Sequence, residues 1–231
     1  TLTDIGGYSL NYHKHIHTGE GGVLVTNDDN IAEKMKLIRN HAEAVVGDMG
    51  QKNLTNMVGH NYRLGEIECA IGIEQLKKLK NLVRSRQLIA EKLSENLMGL
   101  DGLNVPYVRK NCTHVYYIYP FTIDSNIVSV PKSKIVKAIA EEGVPGLTEK
   151  YINLPSLPMY QKKIAYGSKG FPWSIANREI NYSLEDLPIS SRLNDHDFFG
   201  IEMCLFEFNE EDIDLISNAV KKVWKNLDQL N

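Results

Sequence analysis

Cysteine is scarce: Cys69, Cys112 and Cys204 are the three in 231 residues, an odd number, far apart and without a CxxC pair. That argues against a disulfide scaffold or a cysteine zinc site and fits a reducing, cytoplasmic setting. Long apolar runs are missing too, and no stretch approaches the roughly eighteen residues of a membrane-spanning helix. Charge of one sign does not dominate. With 26 basic and 29 acidic residues the formal net charge is -3, so neither nucleic acid nor an anionic membrane is an expected partner. No internal repeat or low-complexity tract occurs. The run Gly19-Glu20-Gly21-Gly22 lacks GxGxxG spacing and a following helix, which excludes a dinucleotide fingerprint. What is present is ordinary for a globular protein: 42% hydrophobic and 24% charged residues, enough for one large domain or two small ones.

The informative stretch is Ser9-Leu-Asn-Tyr-His-Lys14-His-Ile-His-Thr-Gly19-Glu-Gly-Gly22. A lysine near a tight glycine turn, between runs at 5–10 and 23–26 that read as short buried strands, is suited to condense with an aldehyde once its amine is partly desolvated. Ser9, five residues earlier, has a hydroxyl placed to help satisfy a phosphate dianion. Motif alone leaves open that Lys14 is a solvated surface charge. His13, His15 and His17 alternate, so on a strand they would share one face opposite Lys14, as a transition-metal site would require. No carboxylate is placed as a further ligand, and no metal is expected. One of these imidazoles, His15 foremost, is a candidate to contact substrate or tune the lysine.

Along the rest of the chain, Asn27, Asp28 and Asp29 offer an N-cap to a helix with Ile31, Met35 and Ile38 on one face. Residues 45–58 read as a loop. A long helix is expected from about Leu64 to Leu97, striped by Ile67, Ile71, Leu76, Leu79, Val83, Ala90, Leu93 and Leu97, and long enough to link two domains. The expected domains are 1–82 and 83–231. Beyond Gly99 and Gly102, residues 115–121 read as a strand covered on both faces. A helix follows Pro131 and stops at Gly143. The region 145–208 reads as loops and short elements, and a last helix is capped by Asn209. Tyr151, Tyr160, Phe171 and Trp173 are equally compatible with a sugar pocket and with packing.

The order Ser-x4-Lys-x4-Gly-Glu-Gly-Gly, then Arg39-Asn40-His41, Gly59-His-Asn61-Tyr-Arg63-Leu-Gly-Glu66 and Ala70-Ile-Gly72-Ile-Glu-Gln75, resembles sugar aminotransferases of the DegT/DnrJ/EryC1/StrS type. The resemblance is strong over residues 1–98 and looser, but in register, to the C-terminus. It implies an α/β chain of the aspartate-aminotransferase-like fold (fold type I): the C-terminal part of the large domain plus a small C-terminal domain. It further implies a homodimeric enzyme using pyridoxal 5'-phosphate. Such an enzyme moves an amino group, from glutamate or glutamine, onto a keto-sugar, often nucleotide-linked, in amino-sugar or cell-surface polysaccharide biosynthesis. By the same resemblance Lys14 holds the cofactor and moves protons, Ser9 binds its phosphate, and Asn61 reaches the phosphate of the partner subunit's cofactor. Arg63 becomes a candidate for substrate or interface contact, while His41 and Glu66 are left as structural. Family members with histidine at the lysine position are dehydratases; the four residues between Lys14 and Gly19 put Lys14 there and favour transamination. The family carries a substantial segment before this lysine, including an aspartate for the pyridine nitrogen and a stacking aromatic. Neither can be placed here, so the chain is expected to be the C-terminal portion of a longer protein, with an inactive or merely dimerising fragment as the rival expectation.

Overall fold

The computed structural model describes residues 2–43 and 57–230. The loop expected over 45–58 lies outside the described residues except for its last two positions. The chain divides into two compact units, Thr1–Arg84 and Ser85–Asn231, each with its own architecture. The division falls within one long helix, Glu66–Leu97.

In the first unit, β1 (Gly6–Ser9) and β2 (Gly22–Val25) form an antiparallel ribbon, in register from Gly6 opposite Val25 to Ser9 opposite Gly22. These strands were expected to be buried, and they are not: Tyr8 is 63% and Leu24 61% exposed. Two strands alone have two faces, and burial needs a second layer to cover one. Helix α1 (Asp29–Arg39) starts where the Asp28 carboxylate accepts from the Ile31 amide at 3.0 Å. Its buried residue is Leu37; on the expected Ile31, Met35 and Ile38 face the first two are half-buried and Ile38 is exposed. The Leu37 carbonyl accepts from the amides of Asn40 (3.0 Å) and Ala42 (2.8 Å), and the chain leaves the helix through left-handed His41 (φ 64°) and Ala42 (φ 57°).

Helix α2 (Glu66–Leu97) begins two residues later than expected. Its apolar stripe has two fates. Ile67 (75%) and Leu76 (62%) are exposed in the first unit, whereas Ile89, Ala90, Leu93 and Leu97 are buried in the core of the second.

The second unit is built on four antiparallel strands: β3 (Leu103–Asn104), β4 (Ile118–Ile123), β5 (Leu147–Thr148) and β6 (Phe198–Glu202), in the order β3-β4-β6-β5. The expected strand at 115–121 is shifted three residues because Tyr116 takes φ 51° and turns the chain first. Only one face of β4 is fully buried, through Tyr119, Phe121 and Ile123, while the residues between them are half-buried. Tyr119 opposes Ile201 and Phe121 opposes Phe199, their rings stacked with centroids 4.7 Å apart. Against this face pack the end of α2, α3 (Lys132–Glu141) through Ile135, Val136 and Ile139, and the last helix (Glu210–Lys225) through Ile213, Val220 and Trp224. Strand β6 sits at the sheet centre inside the region read as loops and short elements. Gly200 there lets β4 approach, since a Cβ would lie 2.9 Å from the Tyr119 carbonyl oxygen. Helices α4 (Pro158–Lys162) and α5 (Pro188–Arg192) are single turns between β5 and β6.

Helix α3 opens on a buried cation. Lys132 is 7% exposed, and its Nζ donates to the carbonyl oxygens of Glu149 (2.8 Å) and Asn194 (2.6 Å). Burial lowers its pKa from the ordinary lysine value. The last helix, α6 (Glu210–Lys225), is closed by a reciprocal cap between Asn209 and Asp212. It is tied to α2 by Lys92 on Asp214 (3.2 Å) and by Asn96 on Asp214 (3.2 Å) and Ser217 (3.1 Å).

Candidate active site

The connection between β1 and β2 carries three of the candidate residues, Ser9 at its entry and Lys14 and His15 within it. Leu10 N donates to Gly21 O at 2.9 Å, extending the ribbon by one pair, and Thr18 N donates to Leu10 O at 3.0 Å. Residues 11–17 are therefore a seven-residue excursion closed at its base, with Lys14 at its middle. Lys14 N donates to Asn11 O at 3.0 Å, which makes this stretch a turn. The expected strand alternation of His13, His15 and His17 is thus absent: a chain that folds back between Leu10 and Thr18 has no common strand face. No group of three or more His, Cys, Asp or Glu side chains suited to a metal ion occurs among the described residues.

Lys14 and His15 are half-buried on this turn. The Ser9 hydroxyl accepts from Asn11 N at 3.2 Å. One of its two lone pairs is thereby engaged, and its O–H can donate a hydrogen bond, the polarity a phosphate oxygen needs. An amine together with such a hydroxyl fits the donor set of a phosphorylated aldehyde. Gly19, at φ 85°, occupies the left-handed region where a side chain costs energy.

Asn61 and Arg63 belong to a second feature, built on Asn40. Segment 60–62 pairs with the end of α1: His60 N donates to Ile38 O (2.7 Å), His41 N to His60 O (3.0 Å) and Tyr62 N to Arg39 O (3.0 Å). Asn61 faces Asn40 across this bridge, and the Arg63 guanidinium donates to the Asn40 side-chain oxygen. A Cβ on Gly59 would overlap the backbone of His41 and Ala42, so only glycine lets the segment pass. In the sequence Asn40 stands out only as part of the Arg39-Asn40-His41 motif. Its double use depends on a turn of α1 meeting a segment twenty residues away, which no local pattern encodes.

The aromatic residues of the second unit contact one another. Trp173 Nε1 donates to the Tyr182 hydroxyl at 2.8 Å, Tyr160 lies 5.2 Å from Tyr182 between ring centroids, and Phe171 lies 6.0 Å from Tyr166. Tyr151 is exposed. A cleft of about 580 Å³ lined by Val130, Lys132, Glu149, Asn194 and His196 is also in this unit and contains none of the five candidate site residues.

The structure matches that of Helicobacter pylori PseC, described as an aminotransferase involved in the biosynthesis of pseudoaminic acid, with a TM-score of 0.71 at 21% identity, over 96% of this chain and 54% of that one. This likeness shows the fold, that of the type I pyridoxal-phosphate aminotransferases. The DegT/DnrJ/EryC1/StrS aminotransferase family matches residues 1–201, and the chain belongs to it. Among relatives, the spore coat polysaccharide biosynthesis protein SpsC of Bacillus subtilis is 24% identical over 99% of this chain and 56% of its own length. The GDP-perosamine synthase of Caulobacter vibrioides is 29% identical over 62% of this chain and 38% of its own. The chain spans about half the length of the curated relatives it matches over nearly its whole extent.

Proposed function

We propose that this chain contributes the lysine-bearing part of a pyridoxal-phosphate aminotransferase that moves an amino group from glutamate or glutamine onto a nucleotide-linked keto-sugar in polysaccharide biosynthesis. The observation that carries the reading is Lys14 at the middle of a closed loop, with the Ser9 hydroxyl poised to donate at its entry. The relatives named for perosamine synthesis and spore coat polysaccharide support the sugar class.

The bound cofactor would supply an electron sink that stabilises negative charge at the substrate carbon. The chain's own residues do the rest. Lys14 would hold the cofactor covalently through Nζ, and its free amine would take up and return the proton that the reaction moves, which requires it to cycle between charged and neutral forms. Ser9 would donate a hydrogen bond from its hydroxyl to the cofactor phosphate, and Asn61 would reach the phosphate of the partner subunit's cofactor in a homodimer. Arg63 and His15 contact the substrate. A lysine rather than a histidine at position 14 favours transamination over dehydration.

The test is borohydride trapping. The protein is incubated with pyridoxal phosphate, reduced, digested, and the adduct located by peptide mass. A single stoichiometric adduct on Lys14, lost in Lys14→Ala while the fold survives, is the expected result. Adducts scattered over surface lysines, and unchanged by that substitution, refute the assignment.

A further inference from the structure

Thr18 is 6% exposed and makes three kinds of contact. Its amide closes the Lys14 excursion on Leu10 O at 3.0 Å. Its hydroxyl donates to Glu20 O at 2.8 Å. Its methyl meets α2, where a Cβ built on Gly72 would lie 3.3 Å from Thr18 Cγ2. Gly21 completes the arrangement: a Cβ there would lie 2.7 Å from Thr18 Oγ1 and 3.1 Å from Leu64 Cδ1. Two glycines thus remove the Cβ atoms that would hold the loop away from Leu64 and the start of α2. Thr18 is the side chain that fills the gap.

We propose that Thr18 is a positioning residue for Lys14, and that its contact with Gly72 seats the lysine loop on α2. The proposal rests on the function proposed above and deepens it. A loop closed only by the Leu10–Thr18 hydrogen bond could rock about its base. Packing the Thr18 methyl on a helix backbone removes that freedom at the point where the excursion ends, four residues after Lys14.

The contact can be tested by moving one methyl group across it. Gly72→Ala adds a methyl against Thr18, Thr18→Ser removes the one it would meet, and the double variant keeps the volume constant. The readout is the acetylation rate of Lys14 in the full chain under trace acetic anhydride, relative to Lys80, measured by peptide mass. Each single variant is expected to shift this ratio by about threefold or more, and the double to return it to within about 1.5-fold of wild type, as coupled neighbours do. Thr18 has no positioning role if the singles move only the unfolding midpoint and leave the ratio unchanged, or if the double fails to restore it. Borohydride trapping on the same proteins separates the two readings. Absence of a Lys14 adduct in wild type sinks the cofactor assignment, while the acetylation ratios still decide whether Thr18 seats the lysine.

Discussion

Replacing Lys132 by methionine keeps an unbranched apolar stem close to lysine's own four-carbon stem and deletes the charged end. The structure gives the cost. Nζ donates to Glu149 O at 2.8 Å and Asn194 O at 2.6 Å from a site 7% exposed, so Lys132→Met strands two carbonyls. Losing two bonds from a charged donor costs about 1.5–3 kcal/mol each, and relief of the buried ammonium's desolvation offsets on the order of 2 kcal/mol. The net expectation is a loss of about 1–4 kcal/mol. Trp173 and Trp224 are the chain's two tryptophans and both lie in the second unit, so fluorescence-monitored urea unfolding reads this unit alone. Wild type and variant should share a slope while the midpoint falls. A variant within about 0.5 kcal/mol of wild type, or more stable, would show that desolvation cancels the hydrogen bonds and that the clamp does not hold α3.

Gly200→Ala should destabilise the same unit by about 1–3 kcal/mol, because the new methyl meets the Tyr119 carbonyl across the central pair of strands; the same urea assay checks it. The hydrogen bond from Lys92, joined by one from Asn96, holds the Asp214 carboxyl below the usual carboxylate range. A depressed carboxylate stabilises the fold above its unfolded value near 3.8, and that stability is lost as the pH falls through the lower folded value. Asp214→Asn should therefore melt below wild type at pH 7 and converge with it at acidic pH, and a constant difference from pH 7 to 3 would refute the linkage. Ser9→Ala should weaken retention of pyridoxal phosphate while leaving Lys14 able to be trapped at high cofactor concentration, read by dialysis before reduction.

The sequence by itself determined what is local. Asp28 and Asn209 cap the helices expected of them because an N-cap needs only one side chain and an amide two or three residues on. The long periodic run of α2 was legible for the same reason, and so was the motif order that carries the family resemblance. Where apolar residues end up was not legible. Ile67 and Leu93 belong to one stripe of one helix, yet the first is exposed and the second buried, since burial depends on what lies opposite. Strand β6 is not legible in the sequence because Phe198-Phe-Gly-Ile-Glu202 shows no alternation of its own and becomes a strand by pairing with β4 and β5. At the candidate site, Lys14 and Ser9 could be picked from spacing. Only the tertiary structure turned the three alternating histidines into a turn, joined Asn61 and Arg63 through Asn40, and brought Thr18 onto Gly72. The last two depend on segments distant in sequence meeting at a few ångströms, of which composition and periodicity carry no record; the histidine turn is closed by hydrogen bonds within eight residues, which an alternating pattern does not report.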